Sequence, residues 1–203
     1  MSANKGLLLV TMEPPAGLED EFNDWYDTEH FPQRRALPGF ESATRWVCLA
    51  GWPRWAAVYD LATVDAVETP EYLAVSGPNS TPWSKRMLPR TSGRSRIVAE
   101  QIVPGLAPSL APVMVSRLLL VGFAGVPAGR IPELAADLAD KAGQTEGLVQ
   151  LRLFQGTGAA SDALWALGEF DRPVAADPLA ARFGQAAGIG ARLLNLYAPY
   201  HRG

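Results

Sequence analysis

The sequence predicts an α+β fold: two tandem ferredoxin-like β-α-β-β-α-β units packed sheet to sheet as a pseudo-dimeric α/β barrel. Three observations predict it. An apolar run, Gly6-Leu7-Leu8-Leu9-Val10, recurs just past the middle of the chain as Arg117-Leu118-Leu119-Leu120-Val121. The same order of element types follows each run. Between the two copies, Pro104, Pro108 and Pro112 punctuate a short segment. Proline lacks a backbone N–H and fixes φ, so this segment reads as an extended connector.

Each apolar run ends in turn signals, Pro14-Pro15-Ala16-Gly17 and Val126-Pro127-Ala128-Gly129, as a buried strand followed by a loop does. Helical stretches follow at residues 18–37 and 131–143. Two β-type runs come next in each half, residues 40–49 with 54–61 and 148–155 with 163–170. A second helical stretch covers 64–75 and 175–187, and a last strand covers 96–103 and 192–197. This order is the ferredoxin-like motif, an antiparallel sheet with both helices on one face. Its bare face needs cover, and a second copy supplies it. Strands apolar on both faces, such as 7–10 and 118–121, fit that arrangement. The units are residues 1–103, carrying the expected site, and 113–203, a degenerate copy, joined by a Pro-rich connector at 104–112.

The 203 residues are 48% hydrophobic and 19% charged, which excludes disordered, collagen-like and coiled-coil chains. Eighteen basic against 21 acidic residues leave a net charge of −3, so neither nucleic acid nor an anionic membrane is an expected partner. One cysteine, Cys48, excludes a disulfide framework and reads as a buried apolar residue. With His30 and His201 the only histidines, no metal cage is expected. The N-terminal apolar run is too short for a signal peptide. The stretch near 113–126 is broken by Arg117 and flanked by Pro112 and Pro127, so it is no membrane span. A soluble, cytoplasmic protein is the expectation. Each half covers the other's sheet, so a monomeric pseudo-dimer or a homodimer fits. No Walker loop, nucleophile elbow or dinucleotide fingerprint in its structural context is present.

The first half carries a local signature. Glu21-Phe22-Asn23-Asp24-Trp25-Tyr26-Asp27-Thr28-Glu29-His30-Phe31-Pro32, then Leu37-Pro38-Gly39-Phe40 and Arg45-Trp46, resembles the EthD-like group of the dimeric α/β-barrel superfamily. Thr81-Pro82-Trp83-Ser84-Lys85-Arg86-Met87 is similar to a segment common in the same group. The resemblance covers residues 6–103; the second half matches in element order only. It implies a small-molecule cavity between sheet and helices. The superfamily includes cofactor-free monooxygenases, polyketide cyclases, lactone isomerases and haem-binding branches, so the resemblance names no reaction.

The first helix can be read physically as well. Glu19, Asp20, Glu21, Asp24 and Asp27 crowd its start and Arg34 and Arg35 its end, matching the helix dipole. Leu18, Phe22 and Trp25 form an apolar stripe with Glu29 on its centre line and with Tyr26 and His30 on one flank. Pro32 limits or kinks the helix just after His30. Matching Gly39 to Gly147 gives a different answer: Leu134 falls opposite Tyr26, Leu138 opposite His30, and His30 points inward. The two readings differ by about 100°, one helical step. Either way a titratable side chain enters the first half, where the second has only aliphatics.

The candidate catalytic residues are therefore His30, Glu29 and Tyr26. A histidine can take and return a proton near neutrality. A desolvated glutamate has a raised pKa suited to the same work. Tyr26 and Tyr59 can donate to a developing oxyanion. Candidate substrate-binding residues are Trp25, Arg45, Tyr59, Trp83 and Arg86, although Arg45 also reads as the ion partner of Glu29 or Glu41. From Pro70 to Ile97 is 27 positions and from Pro178 to Leu193 is 15, so the first half carries 12 more residues there. The segment that holds this surplus, residues 76–95, is expected to be a lid. The resulting expectation is a cofactor-independent enzyme using proton transfer on a small hydrophobic, aromatic or polyketide-like molecule. The alternatives are a non-catalytic binder and a haem protein with His30 as axial ligand.

Overall fold

A computed structural model describes residues 4–201. Its elements are β1 (Gly6–Glu13), α1 (Glu19–Trp25), α2 (Phe31–Arg35), β2 (Phe40–Ala50), β3 (Trp55–Leu61), α3 (Pro70–Leu73), α4 (Pro82–Met87) and β4 (Ser92–Val103). The second half adds β5 (Arg117–Phe123), α5 (Ile131–Gly143), β6 (Leu148–Gly156), β7 (Leu164–Phe170) and α6 (Ala176–Phe183). A two-residue hairpin, β8 (Gln185–Ala186) with β9 (Ile189–Gly190), then leads into β10 (Leu193–Pro199).

Eight strands close into one antiparallel barrel in the order β1-β3-β2-β10-β5-β7-β6-β4, with β4 returning to β1. The sheets β4-β1-β3-β2 and β10-β5-β7-β6 share one topology and are zipped along two seams. At one seam Tyr197 of β10 lies opposite Cys48 of β2; at the other Glu100 of β4 lies opposite Gln155 of β6. Closure removes the open edges that would otherwise offer unpaired N–H and C=O groups. Among the described residues no helix is long and apolar enough to cross a membrane.

Strand alternation sorts the core into three layers. Leu7, Leu9, Trp46, Val58, Leu118, Leu120, Phe154, Leu167 and Tyr197 fill the barrel interior. Leu8, Tyr59 and Leu61 point outward under the first-half helices, and Leu119, Val121 and Leu153 under α5 and α6. The interior also holds charge. Buried Arg152 donates to Asp60 at 2.7 Å and to Ser109 Oγ at 2.7 Å, and lies 3.5 Å from Glu169. Asp60 also accepts from the Ser42 hydroxyl and the Ser109 N–H, tying both sheets to the connector. Burial alone would raise the Asp60 carboxyl, but Arg152, Ser109 and Ser42 hold it below the usual range; for Glu169 burial wins and its pKa rises.

The helices differ from the sequence reading where proline or glycine intervenes. The stretch 18–37 is α1 and α2 joined by a π turn, Tyr26–His30, in which the Phe31 N–H reaches the Tyr26 carbonyl. Pro32 has no N–H to offer the Thr28 carbonyl four residues back, and a widened turn accommodates this. The stretch 64–75 breaks into a 3-10 turn, Val64–Val67, and α3, because Thr69, extended before Pro70, starts a new helix as its N-cap. The stretch 175–187 stops at Phe183, and the last strand of the first half begins at Ser92 rather than at 96. Gly39 and Gly147, at φ +81° and +78°, make the same left-handed turn into β2 and β6.

Candidate functional site

The first-half layer between helix and sheet holds a half-open cavity of about 440 Å³, within the range of small-ligand sites. Leu8, Val10 and Met12 of β1 and Leu88 give it apolar walls; His30, Arg34, Tyr59, Tyr72, Ser76, Ser80, Arg94 and Arg96 supply its polar groups. No aspartate or glutamate lines it.

The π turn decides which helix residue enters. An inserted residue advances the helical face, so His30, not Glu29, continues the stripe of Phe22 and Trp25. The His30 ring lies against Trp25 (centroids 4.6 Å) and Tyr26 (5.2 Å). Glu29 turns sideways and accepts a short hydrogen bond from the Thr81 hydroxyl. Burial, then the charges of Arg34 and Arg45, push the His30 pKa down to about 3. Its imidazole is neutral at working pH.

Tyr59 is fully buried on β3, its titration pushed far up by burial and by neighbouring Tyr26. The two phenols lie close, yet no partner meets the Tyr59 hydroxyl in hydrogen-bonding geometry. Tyr26 is raised as well, again by burial, with Arg45 opposing. Arg34, 5% exposed, donates to the Val75 carbonyl at 2.7 Å and sits over the Tyr72 ring at 5.3 Å. Burial lowers its pKa, and no carboxylate pairs with it among the described residues. Nine buried side-chain polar atoms lack a partner among the described residues, and four of them belong to residues that line this cavity: His30 Nδ1, Arg34 Nη1, Tyr59 Oη and Ser76 Oγ. Buried polar groups are ordinarily satisfied, so their convergence marks binding capacity.

The remaining candidates occupy the surrounding frame. Trp25 is fully buried and donates to Ser84 Oγ at 3.1 Å, and Trp83 donates to Glu21 at 3.2 Å. With Glu29 and Thr81, these bonds fasten α4 to the first helix. Thr81 also caps α4 by accepting from the Ser84 N–H, with Pro82 following. Arg86 is exposed on α4 and does not line the cavity. Arg45 is buried, but its ion partner is Asp27, with Asn23 at 2.9 Å, rather than Glu29 or Glu41; Glu41 pairs with Lys5. Stacked over Tyr26 at 4.3 Å and Tyr200 at 4.5 Å, Arg45 braces helix against strand. Ser76, Gly77, Ser80 and Arg94, all from 76–95, close the cavity's outer side. His201 lies by a separate groove of about 480 Å³ near the connector, where Glu41 and Asp27 offset Arg35 and Arg45.

Arg34 escaped the sequence reading, which gave it only to the helix dipole. Its signal was there. Tyr26, His30 and Arg34 recur at four-residue spacing and so share one helix face.

An axial haem histidine needs its other ring nitrogen hydrogen-bonded to fix its orientation. His30 Nδ1 is buried without such a partner, so these residues do not fit that group. Among the described residues no group of three or more His, Cys, Asp or Glu is placed to hold a metal.

No family's sequence profile matches the chain, and no curated protein matches it in sequence. Solved structures do match. An anthrone oxidase-like protein superposes with TM-score 0.62 at 12% identity, covering 98% of this chain and 92% of that one. A mutant chlorite dismutase from Candidatus Nitrospira defluvii gives 0.62 at 10%, covering 99% and 92%. A protein provisionally named a monooxygenase, from Fusobacterium nucleatum, gives 0.54 at 12% over the whole of both chains. At these identities the likeness is one of fold. The chain shares their α/β-barrel fold.

Proposed function

We propose that the first-half cavity is the working site of an enzyme that transfers a proton on a small, mostly hydrophobic molecule of aromatic or polyketide-like character, without a cofactor. The observation that carries this reading is the convergence on one apolar-walled cavity of His30 and Arg34, each with a buried nitrogen that has no partner, and of Tyr59. His30, neutral in the free protein, is the base that accepts a proton from an activated C–H or O–H, although burial and Arg34 make it a weaker base than a free imidazole. The Tyr59 hydroxyl donates to the oxyanion that forms, with Tyr26 behind it rather than on the cavity wall. Desolvation strengthens that bond. Residues 76–95 act as the lid that excludes water. The anthrone oxidase-like neighbour supports an acidic aromatic C–H compound as the first substrate to try.

The test is deuterium exchange at the acidic methylene of anthrone, followed by NMR under anaerobic conditions. Wild-type protein is expected to accelerate exchange and His30→Gln to lose about 10²–10⁴-fold of that acceleration. A His30→Gln protein that binds anthrone and exchanges it as fast as wild type overturns the assignment of the base. A wild type that binds without accelerating exchange favours a non-catalytic binder.

A further inference from the structure

Arg34 is a buried cation whose charge nothing nearby balances. One arm of its guanidinium is spent on the Val75 carbonyl, and Nη1 is buried without a partner. An uncompensated buried charge is costly, and proteins ordinarily pair it. Around it the cavity adds only positive groups, Arg94 and Arg96 at the exposed rim, where Arg96 also donates to Tyr72 at 3.2 Å. The groove near the connector differs, because there Asp27 answers Arg45 directly.

We propose that the cavity's ligand is an amphipathic monoanion, a hydrophobic molecule bearing one carboxylate, whose carboxylate pairs with Arg34 while its apolar body lies against Leu8, Val10, Met12 and Leu88. This rests on the cavity being the working site and specifies its substrate class. One buried, half-used guanidinium matches one carboxylate in charge and in donor count. A phosphate dianion would leave a second negative charge inside an apolar-walled cavity, with only exposed, screened arginines to meet it. Arg94 and Arg96 instead create a positive entrance that draws anions in. The carboxylate also leaves Tyr59 and His30 free for the reacting end of the molecule.

The experiment is calorimetric titration with 2-naphthoate, 2-naphthalenemethanol and 2-naphthyl phosphate, with no turnover needed. Wild type is expected to bind naphthoate at least ~10-fold more tightly than the alcohol, and more tightly than the phosphate. Arg34→Met should erase that preference by weakening naphthoate about 10–100-fold, with alcohol binding unchanged as the control for folding. Should Arg34→Met fail to fold, Arg34→Lys and Arg96→Gln carry the test. The lysine is expected to weaken naphthoate several-fold, and the rim substitution to cost about two- to three-fold. Equal binding of alcohol and acid, tighter binding of the phosphate, no binding of any probe, or a preference that survives Arg34→Met overturns the proposal. So does a preference that follows Arg96 and ignores Arg34. A protein that prefers naphthoate yet never exchanges anthrone would overturn the proton-transfer reading alone; one that exchanges anthrone without the preference would overturn this proposal alone.

Discussion

The two helix–sheet layers of this molecule share a scaffold and differ in contents. With Gly39 set on Gly147, Tyr26 falls opposite Leu134, His30 opposite Leu138, Arg34 opposite Ala142 and Arg45 opposite Leu153. Pairing β3 with β7 from their last residues sets Tyr59 opposite Gly168. The second layer is a closed aliphatic and aromatic cluster in which Leu134, Leu138, Leu153 and Phe183 are almost fully buried. At the same positions the first layer has a polar lattice around a cavity, and some of its buried atoms have no partner. On the proposed function, one architecture serves stability in one half and chemistry in the other. Unsatisfied polar groups cost free energy and are retained where something uses them.

The sharpest way to probe the comparison is to write the second half's residue into the first. His30→Leu should abolish the proton-transfer activity, a loss of about 10²–10⁴-fold in exchange rate. It should also stabilise the fold at pH 7 by about 1–3 kcal/mol, because it removes a buried ring nitrogen that has no partner. Activity from NMR exchange and stability from urea unfolding are expected to move in opposite directions. A variant that loses both would place His30 in the framework.

The interior network sets the next largest effect. Arg152, at the position matched by Thr44 in the first half, neutralises Asp60 and lies near Glu169. Arg152→Leu should cost about 3–5 kcal/mol by stranding buried carboxylates. An Arg152→Leu, Asp60→Asn, Glu169→Gln triple variant should recover much of that cost, and a triple variant as unstable as the single would sink the charge explanation. Leu138→Ala should lose about 2–5 kcal/mol while keeping the exchange rate of each folded molecule. That outcome is opposite in kind to the one expected at His30.

The remaining effect is in pH. The folded His30 pKa, about 3, lies below its ordinary 6.5. Between those values the unfolded chain binds the extra proton, so stability falls as pH drops from 6.5 toward 3. Asp60 adds a loss of the same sign at the acid end, whereas raised Glu169 opposes it. Subtracting the His30→Leu curve from wild type isolates the histidine. The difference should slope by at most one proton, and a flat difference over this window would show that His30 is already solvated.

Several parts of this structure were legible because they depend on local chemistry. The repeated element order came from apolar runs and turn residues, and it stands in the two sheets. The position of His30 was legible only through the Gly39–Gly147 match. Hydrophobic periodicity pointed to Glu29 because it assumes a uniform step of about 100° per residue, and the π turn at Tyr26–His30 breaks that step. Arg45 was legible as a paired cation, but its partner was not, because Asp27 and Asn23 meet it only once the helix is laid on the strand.

The sequence by itself determined the eight barrel strands and their order along the chain, the proline-marked connector and the polar content of the first helix. These follow from side-chain period, missing N–H groups and glycine's left-handed freedom, which act over a few residues. The tertiary structure alone decided that the two sheets are zipped at β2–β10 and β4–β6 into a closed barrel. It also decided that the connector is clamped through Ser109 to Asp60 and Arg152, and that Arg34 meets Tyr72, Val75 and His30 around one cavity. Those contacts join residues tens of positions apart. Their energy comes from desolvation and charge balance in a shared interior, which no local pattern records.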